Sequence, residues 1–276
     1  MYSIETKNLT KKFKEKTAVD GVNLHIKDGE LFALLGVNGA GKTTTIKMLS
    51  AILLPTDGSI TIEGMDMRKE PNKIKEILNI SPQETAIAPN LTVRENLEFI
   101  AGVYQIRKPT IKINEIIRTF KLEELQKQKA KTLSGGWQRR LSIAMSLIND
   151  PKVLFLDEPT LGLDVIARKE LWDIIGGLKG KMTTILTTHY MEEAEALSDR
   201  IGIMADGRLI AVGTAEELKD MAGTENFEDA FVAIATGKAA SAAAGAKAAV
   251  SGEPSEAAAP DEPPEVATPG EGGEQK

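Results

Sequence analysis

Gly36-Val37-Asn38-Gly39-Ala40-Gly41-Lys42-Thr43 is the stretch on which the reading of the chain turns. It follows an apolar run, Leu31 to Leu35, that reads as a buried strand. It leads into Thr44-Thr45-Ile46-Lys47-Met48-Leu49, where Ile46, Leu49 and Leu53 recur at helical spacing. Strand, glycine-rich loop and helix form the context that a G-x-x-x-x-G-K-[ST] pattern requires. Glycines let the backbone curl around a phosphate with successive N–H groups pointing inward, and the helix start adds its positive end. In such a loop Gly36, Asn38, Gly39, Ala40, Gly41 and Thr44 supply the cradle. Lys42 reaches the β- and γ-phosphates, and the Thr43 hydroxyl can ligate Mg²⁺. The stretch therefore predicts binding of a nucleoside triphosphate with Mg²⁺.

The whole chain has 276 residues, enough for one large domain or two small ones with a substantial core. Apolar residues make up 42% and charged residues 27%, ordinary values for a globular protein. The net charge of −6 is uneven. From Lys238 onward seven acidic residues face three lysines, so that segment carries −4 and residues 1–237 carry −2. A near-neutral body argues against nucleic-acid binding by bulk electrostatics. With no cysteine there is neither a disulfide nor a thiolate metal site. The N-terminus lacks the apolar core of a signal peptide, and no run approaches the 18 apolar residues of a membrane span. If the protein works at a membrane, another chain is expected to cross it.

Taken in order, Ile4–Thr6 and Thr17–Ile26 read as short strands, with Phe13 in a polar link between them and Asp28-Gly29 turning into the next strand. Pro55-Thr56-Asp57-Gly58 is a turn before a strand from Ser59 to Glu63, and Ile77 to Pro82 reads as a buried strand ending at Gln83. From Leu91 to Asn149 the apolar spacing becomes helical, which predicts a helical insertion between strands. A last helix of this stretch opens at Gly135-Gly136 and stops at Asn149-Asp150-Pro151. Strands at 152–157, 182–188, 200–205 and 208–212 then alternate with helices at 165–179 and 190–197, which implies a mainly parallel sheet. A short helix after Thr214 and a segment from Phe227 to Ile234 close a domain of residues 1–237. Residues 238–276 are rich in Ala, Pro and Glu and are expected to be disordered.

Val153-Leu154-Phe155-Leu156 is a second apolar run that delivers two carboxylates, Asp157 and Glu158, to a strand end. Parallel sheets collect their ligands there. Asp157 is the candidate for the Mg²⁺ shell, and Glu158 for polarising a water in line with the γ-phosphate. His189 ends the strand Thr184–Thr188 in the same topological place and is a third catalytic candidate, whereas His25 reads as structural. Leu133-Ser134-Gly135-Gly136-Trp137-Gln138-Arg139-Arg140 places a serine and two glycines at a helix start. Such a segment is either a capped helix with a glycine turn or a spare anion nest for the nucleotide of a second copy.

These elements together resemble the nucleotide-binding subunit of an ATP-binding cassette (ABC) transporter. The phosphate loop, Gln83, the Leu-Ser-Gly-Gly stretch at 133–136, Asp157-Glu158, Leu161-Gly162-Leu163-Asp164 and His189 follow the family order and spacing over about residues 2–236. Thr17–Val22 and Leu163–Arg168 further resemble bacterial drug and polysaccharide exporters. The resemblance implies a P-loop NTPase fold with a mainly parallel core sheet, an N-terminal antiparallel part and an inserted helical subdomain at about 84–150. It implies that Phe13 stacks on adenine, standing where Tyr is commoner, and that Gln83 links the Mg²⁺ site to the helical insertion. Ser134, Gly135 and Gly136 would meet the γ-phosphate held by a partner copy, and Asp164 would lie at the dimer seam. Trp137 stands where the family consensus has Gln. The implied activity is ATP hydrolysis driving export through separate transmembrane permease subunits, by a homodimer or paired cassette at the cytoplasmic face of the membrane. A non-transport ABC ATPase and a nucleotide-dependent regulatory module are the rival readings.

Overall fold

The computed structural model describes residues 2–237. The expected disordered segment at 238–276 lies outside the described residues. Among the described residues ten strands divide between two sheets. Strands β1 (Tyr2–Phe13), β2 (Lys16–Lys27), β4 (Asp57–Ile62) and β5 (Met65–Asp66) form an antiparallel sheet in the order β2-β1-β4-β5. Strands β3 (Leu31–Leu35), β6 (Leu78–Ser81), β7 (Val153–Asp157), β8 (Thr183–Thr188), β9 (Arg200–Ala205) and β10 (Arg208–Gly213) form the other, in the order β10-β9-β3-β8-β7-β6. Every pair in it is parallel except β9 with β10.

The alternation of side chains along a strand builds the layers. In β3, Leu31, Ala33 and Leu35 point into one apolar cluster, and Phe32 and Leu34 into another. The second cluster packs α1 (Lys42–Leu49) and the antiparallel sheet against the parallel one. The first contains the buried faces of α3 (Val93–Val103), α4 (Pro109–Thr119), α5 (Gly135–Ser146), α6 (Val165–Gly176), α8 (Ala215–Ala222) and α9 (Phe227–Ala235). The helical insertion therefore shares a continuous core with the sheet. Its entry is fixed locally, because Thr92 and Glu95 make a reciprocal capping box on α3.

Several boundaries differ from the sequence reading. Phe13 does not sit in a polar link: β1 runs to it, and it pairs with Lys16 across a hairpin. Register irregularities along β1 and β2 break the alternation that would have revealed strands this long. Ile77 belongs to α2 (Pro71–Ile77), a short helix without a strong apolar face, so the strand begins at Leu78. The helix expected at 165–179 ends at Gly176. The remaining helix, α7 (Met191–Leu197), begins just after His189.

Parallel pairing aligns the strand ends. Leu35 lies beside Thr188, Thr187 beside Asp157, and Leu156 beside Ser81. The loops that leave β3, β6, β7 and β8 thus emerge together, and they carry the phosphate loop, Gln83, Glu158 and His189.

Candidate functional site

The phosphate loop owes its shape to two crowded glycines. A Cβ on Gly36 would lie 2.5 Å from the Met204 carbonyl oxygen. One on Gly41 would lie 2.6 Å from that of Ala18, and Gly41 also has φ of 104°. Gly36 and Ala40 are buried beneath the loop, whereas Asn38 and Gly39 are exposed on its rim. An open cleft of about 500 Å³ lies over the loop, lined by Asn38, Gly39, Gly41, Lys42, Thr43 and Thr44. Lys16, Ala18, Gln83, Glu158, Leu161 and His189 complete its wall. Gly41 caps α1 without a side chain, so the first-turn N–H groups of that helix face the cleft with the positive end of its dipole.

Lys42 Nζ donates to the carbonyls of Gly36 (2.7 Å) and Val37 (3.2 Å) and lies 3.8 Å from Glu158 Oε1. Burial lowers its pKa, and the fields of Glu158 and Asp157 oppose that shift. The Thr43 hydroxyl donates to Asp157 Oδ1 at 3.2 Å, and Thr187 donates to the same oxygen at 2.6 Å. Asp157, only 3% exposed, therefore lies one layer behind Thr43 rather than on the cleft wall. Thr43, Asp157 and Gln83 offer hydroxyl, carboxylate and amide oxygens, the hard donor types that suit Mg²⁺.

Glu158 is held between neighbours. Gln83 Nε2 lies 3.5 Å from its Oε2, and His189 Nδ1 lies 3.4 Å from its Oε1. Its backbone adopts φ of 47°, uncommon for a residue with a side chain, and its N–H is secured by the Thr187 hydroxyl (3.0 Å) and carbonyl (3.1 Å). The strained backbone turns the carboxylate out of the strand direction and onto the cleft.

A second concavity, about 440 Å³, is formed elsewhere by Ser134, Gly135, Gly136 and Trp137 together with Gly162, Leu163 and Asp164. Ser134 occupies the N-cap of α5, yet its hydroxyl makes no capping hydrogen bond. Asp164 caps α6, accepting from the N–H groups of Ile166 and Ala167 at 3.0 Å each. Trp137 lies over Arg140, whose guanidinium carbon is 4.2 Å from the indole centroid and which pairs with Glu170 at 2.6 Å. The sequence candidates thus fall into two groups on separate concavities. Phe13 joins neither: the residue is 47% exposed at the hairpin end, with its ring under Lys11 Nζ, and the cleft wall begins at Lys16. His25 is exposed and lies against Tyr2, as a structural histidine would.

Three supporting groups were not singled out in the sequence. Thr187 binds both Asp157 and the Glu158 main chain, and nothing in the sequence sets it apart from Thr183, Thr184 and Thr188 of the same buried strand. Arg139 is buried among main-chain carbonyls of the cleft loops. Glu193, fully buried, accepts from Thr160 (2.8 Å) and Trp172 (3.1 Å), and desolvation raises its pKa. Arg139 and Glu193 read as ordinary solvated helix charges in one dimension.

The sequence profile of the ABC transporter family matches residues 19–161, more than half of the chain. "Probable multidrug ABC transporter ATP-binding protein YbhF" of Escherichia coli is 42% identical over 229 residues, which are 82% of this chain and 39% of that protein. The chain therefore spans well under half the length of this relative. "Daunorubicin resistance ATP-binding protein DrrA3" of Streptomyces coeruleorubidus is 40% identical over 79% of this chain and 70% of its own. Among solved structures, the ATP-binding cassette MJ0796, a dimer in a post-hydrolysis state bound to ADP and Pi, superposes with a TM-score of 0.69. That match has 28% identity over 76% of this chain and 98% of the cassette. The chain belongs to the ABC transporter family, of which it carries the ATPase cassette.

Proposed function

We propose that this chain is an ATP-hydrolysing subunit that powers export across a membrane through separate transmembrane subunits. The observation that carries the reading is the separation of two complementary half-sites on one cassette. One holds the phosphate loop and the catalytic carboxylates; the other offers the Ser134 hydroxyl and the Gly135-Gly136 main chain to a phosphate that this copy's own loop does not bring there. Two copies arranged head to tail pair each cleft with the other's signature face, with ATP between them. The dimeric MJ0796 cassette supports such a pairing.

In that assembly Lys42 and the α1 N-terminus neutralise the phosphates. Mg²⁺, held by Thr43 and Asp157 with Gln83 at its edge, would neutralise charge on the β- and γ-oxygens. Glu158 orients a water and accepts its proton as the water oxygen bonds to the γ-phosphorus and the bridging bond to ADP breaks. His189 holds the Glu158 carboxylate from the other side. Ser134 and Gly136 of the opposing copy bind the γ-phosphate, and Asp164, seated at the start of α6, faces the seam. Phe13 reaches the adenine from the hairpin end.

Among the described residues no helix is long and apolar enough to cross a membrane. On this reading the membrane path belongs to separate permease subunits, with this chain peripheral on the cytoplasmic face, and the transporter name of YbhF supports it. Closure is transmitted through the surface near Gln83 and residues 84–105. The names of YbhF and DrrA3 favour cargo of the drug type.

Substituting Glu158→Gln tests the reading. A proton-handling group contributes about 10²–10⁴-fold, so turnover falls by that factor while ATP binding persists and the closed dimer accumulates. A variant that stays monomeric on size exclusion at saturating Mg·ATP overturns the sandwich.

A further inference from the structure

Arg139 lies on α5, five residues beyond Ser134, and is only 4% exposed. Its guanidinium spans two loops of the catalytic cleft. Nε donates to the Pro159 carbonyl at 2.9 Å and Nη2 to that of Asp157 at 2.6 Å. Nη1 donates to the Gln83 carbonyl at 3.1 Å and also to that of Pro82. Among the described residues no other side chain hydrogen-bonds the main chain on both sides of Glu158 and the main chain at Gln83. Burial lowers the Arg139 pKa to about 10, so the side chain remains a cation at neutral pH. Such a buried charge is retained only where acceptors surround it, and here they are the loop carbonyls of Pro82, Gln83 and Pro159 and that of Asp157 at the end of β7.

The placement has a consequence for catalysis. Gln83 Nε2 and Glu158 Oε2 are 3.5 Å apart, so their mutual alignment depends on where the main chain of each is held. A planar fork with five donors can fix several carbonyls at once, which an ammonium on a flexible stem cannot. The same rigid helix that begins at Ser134 carries this fork. Movement of α5 when its N-terminus meets a phosphate is therefore passed to both loops.

We infer that Arg139 is a positioning residue for hydrolysis, tying the signature helix to the main chain that aims Gln83 and Glu158. The inference rests on the proposed ATP-sandwich reading and deepens it. It does not place Arg139 in contact with nucleotide.

Arg139→Lys keeps the charge and loses the fork; Arg139→Gln removes both. Four measurements on the full chain decide: melting temperature, KM for ATP, kcat per folded molecule, and ATP-driven dimerisation with Glu158→Gln also present. A misplacement of about 1 Å costs on the order of 10²-fold, so kcat of Arg139→Lys should fall about 10- to 100-fold. KM and the ATP concentration for half-dimerisation should stay within about threefold, because binding groups are untouched. An unchanged kcat in folded Arg139→Lys overturns the inference. So does a loss of kcat that only follows the loss of folded protein. If Arg139→Gln fails to fold, the lysine variant still decides. A monomeric Glu158→Gln protein carrying native Arg139 would instead remove the sandwich, while the kcat–KM split of Arg139→Lys would still judge Arg139.

Discussion

The phosphate cleft and the signature face differ in how far their polar groups are satisfied within the chain. In the cleft, Lys42, Thr43, Asp157 and Glu158 are linked to one another and to Thr187, Gln83 and His189 at distances of 2.6 to 3.8 Å. On the signature face the Ser134 hydroxyl makes no capping bond and Gly135 opens onto free space. Behind that face Arg140 lies under Trp137 and pairs with Glu170 through Nη2, and Asp164 caps α6. A cross-linked cluster holds its geometry before a ligand arrives. A surface of uncommitted donors on a firm backing is one that a second molecule completes.

The largest effect that would break this contrast comes from the cleft. In the proposed function Lys42→Ala removes a buried cation that faces the phosphoryl group being transferred, and losing such a contact costs about 10²–10³-fold in kcat. The fold should persist, since Lys42 bonds only loop carbonyls and Glu158. Phosphate release measured on folded protein checks it, and unchanged turnover would remove Lys42 from the site.

Ser134→Ala sharpens the contrast with a smaller effect. A hydrogen bond to a charged group contributes about 1.5–3 kcal/mol, so turnover should fall roughly 10- to 100-fold. ATP binding to the monomer should be unaltered, because Ser134 is remote from its own chain's cleft. Equilibrium nucleotide binding at low protein concentration separates the two faces; a weakened monomer affinity would contradict their independence.

The smallest expected effect concerns the buried carboxyl behind both faces. Glu193 holds Thr160, which lies between Glu158 and Asp164, and its folded pKa is raised by desolvation. A raised carboxyl contributes stability below its unfolded pKa and loses it as pH rises through the folded value. Wild type should therefore lose melting temperature relative to Glu193→Gln between pH 5 and pH 8, by about 2–4 °C for each kcal/mol. A constant difference across that range would mean that Glu193 does not change protonation on folding.

The legible parts of the chain are those where chemistry is written in consecutive residues. Gly36–Thr43 needs its glycines next to its lysine because one loop makes the cradle, and Asp157-Glu158 needs four apolar residues before it because a buried strand delivers it. The order and alternation of strands and helices were readable for the same reason, since each element buries one face at its own period. Element ends were less so. Phe13 lay inside a strand whose register irregularities erased the alternation, and α2 was too short to show a period.

The residues that support the site were decided in three dimensions. Arg139 and Glu193 stand among charges that read as solvated, and only the approach of β6, β7 and the loops they carry turns one into a fork on four carbonyls and the other into a buried acceptor. Sequence by itself determined the phosphate loop, the paired carboxylates and the parallel core, because their physics is local or periodic; Ser134-Gly135-Gly136 read equally as a capped helix until the family resemblance marked it. Tertiary structure alone decided that Thr43 and Asp157 meet, that Ser134 and Asp164 share a face apart from the cleft, and that Phe13 stands at the end of a hairpin. Those facts depend on residues up to 114 positions apart, whose proximity is set by sheet order and not by any pattern along the chain.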